Sequence, residues 1–317
     1  MKYKEVSDRP SGSPVRKRDE RTSVAGVLLL LLSAFAFALS TVFVKIASND
    51  YGVSGITISF FRFSFGLMVI VPFMLMNGKS FRPNNSKFVV IRGVSNATAV
   101  MLFFAGVQYT TISNANILNM TYPAFVFLAA PFINKEKIMP NHIFFLALTI
   151  GGGYLISSPA FGGFNPGDIM AFLSGAVAGI AISSLRESRK YDDTSIILFY
   201  LMLIGTLLSG IAVIPFFAVP PKAAIVHIAG AAVLSLAGQL FLTIGYRYIE
   251  AGAGSIVSSS RIPVAAAFGV MMFGDPITLQ VVGGGLLIIA SMIGISYFSG
   301  SGKKGPDGAG SRGQSRI

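Results

Sequence analysis

Residues 246–275 read YRYIEAGAGSIVSSSRIPVAAAFGVMMFGD, and residues 109–136 read YTTISNANILNMTYPAFVFLAAPFINKE. Both stretches open on tyrosine and small or polar residues. Both carry a proline near the middle, followed by Ala, Phe and Val, and both end in a turn with an acid. Pro123 precedes Glu136 by 13 residues, and Pro263 precedes Asp275 by 12. Each is apolar enough to lie in a membrane, yet the later one holds Ser258, Ser259, Ser260 and Arg261 at its centre. The pair predicts two helices facing each other across a pathway.

The rest of the chain supplies the bilayer context. Of 317 residues, 53% are hydrophobic and 12% charged, with mean hydropathy +0.69. Soluble domains carry about 25% charged residues, so the composition predicts a polytopic membrane protein. Cysteine is absent, which excludes disulfides, thiolate metal sites and a cysteine nucleophile. His142 and His227 stand far apart at predicted span ends, so neither a metal nor any other cofactor is expected. The net charge of +12 is explained by cationic loops at a membrane surface, and no nucleic-acid partner is expected.

Spans need about 20 apolar residues each. Ten are predicted: 24–46, 55–76, 88–107, 112–133, 141–158, 167–185, 195–217, 223–245, 251–272 and 278–298. The run from residue 24 is too long for a cleaved signal core and is expected to be retained. Residues 1–22 and 300–317 read as disordered tails. With the N-terminus inside, 21 Lys and Arg fall on the cytoplasmic side, Arg92 and Arg186 counted among them, and only Lys222 falls outside. That bias predicts cytoplasmic termini and an even number of spans. Lys45, Arg62 and Arg261 fall within spans.

The chain reads as two halves. Residues 26–47 align without gaps to 167–188, matching Gly26 to Gly167, Ser33 to Ser174 and Lys45 to Arg186. Pro72 has a counterpart in Pro215, and Gly151, Gly152 and Gly153 have one in Gly283, Gly284 and Gly285. Five spans per half is odd, so the second half enters the membrane from the opposite side. The expected fold is an all-α membrane protein of ten helices in two inverted five-helix repeats. The first repeat is placed over 23–139, the fifth span and link over 140–166, and the second repeat over 167–299.

Together these residues resemble the drug/metabolite transporter superfamily, and its EamA-type members in particular. The resemblance rests on Arg62 in SFFRFSFGLMVIVP, the run FFAGVQYTTISNA at 103–115, Pro123 with Glu136, and Gly167-Asp168 opening the second half. It also rests on GQLFL at 238–242 leading to GYRY at 245–248, and on Pro263 with Asp275. It covers residues 24 to 298. Asp275 stands where glutamate is usual and one residue early, and the glycine triplet of span 5 replaces a more spaced pattern. The resemblance implies alternating-access transport of small organic solutes, through a cavity lined mainly by spans 1, 3, 4, 6, 8 and 9.

Arg261 is the sharpest candidate. A cation near the bilayer centre costs about 2.5–3.5 kcal/mol or more, and arginine cannot shed its proton. It either pairs with a substrate carboxylate or phosphate, or binds carbonyls loosened by Pro263. Arg62 and Lys45 are candidates for substrate contact, against a structural tie for Arg62 and snorkelling for both. In span 4, Asn116, Asn119 and Tyr122 share a face by their i, i+3 spacing and are expected to line the pathway. Span 9 answers with Ser255, Ser258 and Ser259, and span 8 with Ser235 and Gln239. Interhelical hydrogen bonding and close helix packing compete for all of these residues. Pro123 and Pro263 are the expected hinges. The Gly175–Gly179 GxxxG of span 6 fits close packing within one chain or in a dimer, so the oligomeric state is open between monomer and dimer.

Every acidic residue falls in a tail, a loop or a span end, and no carboxylate is placed at mid-membrane. Proton-coupled carriers place Asp, Glu or His there. The expectation is therefore an exchanger or facilitator of an amino-acid-like or anionic metabolite in the plasma (inner) membrane. An exporter driven by proton antiport is the rival. No P-loop and no convergent acid–base pair supports ATP hydrolysis or an embedded enzyme. The tails are too short for a sensor domain.

Overall fold

The computed structural model describes residues 24–109, 118–119, 121–157, 166–273 and 278–301. Among these, every regular element is a helix. Besides a short 3-10 turn at Ile214–Phe216, the helices in chain order are α1 (Val24–Asn49), α2 (Gly55–Met76), α3 (Ser86–Tyr109), α4 (Tyr122–Ile133), α5 (Pro140–Ser157) and α6 (Pro166–Ser188). The second half continues with α7 (Thr194–Val213), α8 (Lys222–Gly245), α9 (Ala251–Ser258), α10 (Arg261–Phe273) and α11 (Leu279–Ser301). Seven stretches are long and apolar enough to cross a membrane, with Ala251–Met272 counting as one; Tyr122–Ile133 and Leu279–Ile295 are shorter apolar helices. With α5, they occupy the ten predicted span positions.

The helix ends follow from local chemistry. Ser54 caps α2 by accepting from the Thr57 amide at 3.2 Å, a contact worth about 1 kcal/mol. At the other end of α2, Gly78 takes a left-handed φ of 58°. There the Lys79 amide reaches the Met74 carbonyl at 2.8 Å and the Gly78 amide reaches that of Leu75 at 3.2 Å. This is a Schellman closure, whose left-handed position glycine takes at no steric cost. Pro140 and Pro166 open α5 and α6, where the missing N–H costs nothing.

The packing obeys an exchange of the two halves. Helix α3 lies along α6, and its mate α8 lies along α1. Helix α4 packs on α6, and α9 and α10 pack on α1; α3 meets α7, and α8 meets α2. The self-mated pairs α2–α7 and α5–α11 close the bundle. Because lipid tails are as apolar as leucine, such contacts rely on small residues and hydrogen bonds. A Cβ on Gly106 would lie 2.8 Å from the Gly167 carbonyl oxygen, and one on Gly152 would lie 2.6 Å from that of Gly284. The two aligned glycine triplets thus meet across α5 and α11. Gly175 and Gly179 face Asn119, Thr121 and Phe125 of the same chain, so the GxxxG of α6 is occupied by packing within the chain.

The ninth span departs from its expected form. It was expected as one helix over 251–272, but it breaks at Ser259 and Ser260 into α9 and α10. Pro263 has no N–H to give the Ser259 carbonyl, and the Ile262 amide takes that acceptor at 2.9 Å. A similar tight bond joins the Ala124 amide to the Thr121 carbonyl at 2.9 Å around Pro123. Both prolines therefore sit at a tightened turn in the middle of facing spans. Asn116 and Asp275 lie outside the described residues.

Candidate functional site

A cavity of about 860 Å³ lies between the halves. We call the end of the bundle where α1 begins the base and the opposite end the rim. The lining runs from Arg92, Ile182 and Leu242 towards the base to Val270, Thr278 and Val281 at the rim. It draws on α2, α5 and α11 as well as on spans 1, 3, 4, 6, 8 and 9, a wider set than the family resemblance implied.

Of the expected site residues, Lys45, Arg62, Asn119, Tyr122, Gln239, Ser258 and Arg261 all line this one cavity. Asn119 donates to the Ser174 hydroxyl at 2.8 Å, and Tyr122 donates to the Ser255 carbonyl at 3.0 Å. Those two groups tie the fourth span to its neighbours while both residues line the cavity. The Arg62 guanidinium lies over the Phe63 ring, 4.9 Å from its centroid. Ser255 and Ser259 are not brought into the cavity. Both are fully buried, and their hydroxyls donate to the carbonyls of Gly252 at 2.7 Å and Ser255 at 3.0 Å. In a helix that packs on five neighbours, the i, i+4 face bearing these serines turns inward against protein. Ser258, last in α9, faces the cavity instead. Its Oγ is buried with no hydrogen-bond partner among the described residues.

Arg92 is the functional candidate that sequence reasoning missed. It counted there as a cytoplasmic loop cation, yet it is 1% exposed and lines the cavity floor. Its Nη2 donates to Gln239 Oε1 at 3.1 Å. Gln239 is thereby spent on holding a guanidinium rather than left free for a ligand. The signal was present: Arg92 falls inside the predicted third span, one turn before Asn96 on the same face. Four basic side chains thus line the cavity, and none of its described lining residues is acidic.

Beneath the floor the base is closed by a second polar cluster. Both Glu136 oxygens accept from the Ala251 amide at 3.0 Å, and Oε2 also accepts from Gly252 at 3.4 Å. A carboxylate at a helix N-terminus satisfies orphan N–H groups and meets the positive end of the dipole. Arg186 Nε stands 3.7 Å from Glu136 Oε1, a charge contact rather than a hydrogen bond. Arg186 Nη1 donates to the Tyr246 and Arg247 carbonyls at 3.0 and 3.1 Å. Burial pushes the Glu136 carboxyl above its ordinary value, with Glu250 adding to the push. The Ala251 and Gly252 amides and Arg186 pull it back.

Residues 24–158 and 165–297 each match the EamA-like transporter family. The chain belongs to that family. Two EamA domains of this length cover the two packed halves, and this EamA-like protein is a multi-pass integral membrane transporter of a small-molecule substrate, not an enzyme. It is similar to human solute carrier family 35 member G1, with 27% identity over 89% of this chain and 81% of that protein. It is also similar to the pseudopaline exporter CntI of Pseudomonas aeruginosa, with 26% identity over 86% of this chain and 96% of that one. A solved crystal structure shares the fold at a TM-score of 0.73 and 14% identity, covering 87% of this chain and 97% of its own.

Proposed function

We propose that this EamA-like protein is an alternating-access carrier of a small organic solute bearing an anionic group, amino-acid-like or simply acidic. The observation that carries this reading is the cavity of about 860 Å³ lined by Lys45, Arg62, Arg92 and Arg261, with no acid among its described lining. Its volume is that of a metabolite site. Arg261 opens α10 at mid-depth, where a helix N-terminus adds partial positive charge. Asn119 and Tyr122 line the same cavity, with Tyr122 bonded to the helix that leads into Arg261, and Asn116 is assigned to the same wall. Pro123 and Pro263 are the hinges about which the halves rock.

Without a carboxylate in the described lining to carry a proton, the carrier works as an exchanger or facilitator. The protein sits in the plasma membrane with both termini cytoplasmic. Moving Arg92 into the bundle leaves 20 basic residues against Lys222, so the charge bias still supports that orientation. The test is uptake of labelled amino acids and carboxylic acids by reconstituted protein. Arg261→Ala should lose transport of the anionic substrate by about tenfold or more, the worth of one charge-assisted contact, while still inserting. Normal uptake by that variant would remove Arg261 from the site. The likeness to the pseudopaline exporter favours export as the second reading on direction. Counterflow from vesicles loaded on one side separates the two, and a strict need for an imposed pH gradient would overturn exchange.

A further inference from the structure

We infer that the cavity floor is a second anion subsite, built by Arg92, Gln239 and Asn96, and that the substrate carries two separated anionic groups. This rests on the carrier reading above and specifies its substrate class.

Arg92 is 1% exposed, yet it lines the cavity. One hydrogen bond fixes it, from Nη2 to Gln239 Oε1, and its Nε has no hydrogen-bond partner among the described residues. Gln239 is itself 4% exposed, so the guanidinium is held rigidly against the α8 wall. One turn along α3 stands Asn96, another lining residue. Its Nδ2 is buried and likewise has no acceptor among the described residues. Two donors, four residues apart on one helix face, lack acceptors at the bottom of a cavity with no acid in its described lining. Buried donors are normally satisfied, because an unmade bond leaves a desolvation cost. The acceptor that fits both is an oxyanion entering from the cavity, and a guanidinium takes a carboxylate or phosphate through paired N–H groups.

The floor is distinct from the mid-depth site. Arg92 lies six residues past the start of α3, and Arg261 lies ten past the start of α9. With α3 and α9 taken to begin at one level and to rise about 1.5 Å per residue, the two are placed roughly 6 Å apart in depth. A short dicarboxylate, or an acid with a phosphate at its far end, spans such a gap. A monoanion reaches only one of the two cations.

The experiment uses the full chain in detergent and in proteoliposomes. The probes are succinate, glutarate and adipate, each against its own monoamide. At least one diacid should stabilise the wild type against heat, and compete for uptake, at about tenfold lower concentration than its monoamide. Arg92→Gln should erase that difference by weakening the diacid about tenfold more than the monoamide. Gln239→Glu, which sets a carboxylate beside Arg92, should erase it as well. It also serves as the second variant if Arg92→Gln fails to fold. Equal potency of every diacid and its monoamide in the wild type overturns the second subsite and leaves the anion-carrier reading standing. Equal weakening of both ligands by Arg92→Gln makes Arg92 structural and overturns it too. No response to any of the acids or monoamides sinks both readings.

Discussion

At the scale of single residues, Glu136 shows what a sequence alone conceals. It reads as one more charge in a turn; in the fold its side chain is 15% exposed and takes the amides that open α9. Its carboxyl is raised above its ordinary value of 4.5, chiefly by burial. A raised folded value means that the folded form holds the proton more tightly. The stability contributed at the base is therefore full below 4.5 and is lost as pH rises through the raised value. The measurement is thermal unfolding of the wild type and Glu136→Gln across that window. The wild type should lose stability as pH rises and the variant should stay flat; parallel slopes would show that Glu136 does not titrate there. Arg92 was concealed for a related reason. Loop charges and floor charges look alike in a linear count, and Arg92 was counted with the loops although it falls inside the predicted third span, which the helix from Ser86 bears out. Arg261 was legible because no other charged residue lies within ten residues on either side of it, which sets it deep in a span, away from water.

At the scale of elements, the two mid-span prolines and the glycine triplets were legible because they act through the backbone. A missing N–H or a missing Cβ has the same effect wherever the helix packs. The serine face of α9 was misread because period alone says which residues share a face, not whether that face meets a cavity or another helix. Helix α6 offers a sharp test of close packing. A side chain on Gly179 would place its Cβ 2.5 Å from that of Phe125. Gly179→Val should therefore cost about 1–3 kcal/mol through overpacking. The readout is a lower midpoint of thermal unfolding and reduced yield of monodisperse protein, and an unchanged midpoint would mean that α4 and α6 can part freely. Pro263→Ala restores a donor for the Ser259 carbonyl, so it should straighten the turn between α9 and α10. Transport should then slow while substrate-induced stabilisation persists. Loss of both together would assign Pro263 to the binding wall instead of the hinge.

At the scale of the whole molecule, the chain lends itself to accessibility mapping because it contains no cysteine. A single cysteine at Thr278, at the rim, should react with an impermeant maleimide from outside the cell, and one at Lys137, at the base, only after the membrane is opened. The reverse pattern would invert the orientation. The exchange of halves written into the packing has an energetic consequence as well. If every contact that shuts the base has a counterpart able to shut the rim, the two closed shapes begin close to degenerate. Only residues that break the exchange can then set which shape prevails at rest. Glu136 answers to Asp275 and Arg186 to Lys45 in the aligned halves, shortening one acidic arm by a methylene and trading a planar cation for a point charge. A preference of roughly 1.4 kcal/mol from such differences would already hold the empty protein about ten to one in one shape. The bias of the resting carrier is thus a matter of a few side chains on an otherwise balanced frame.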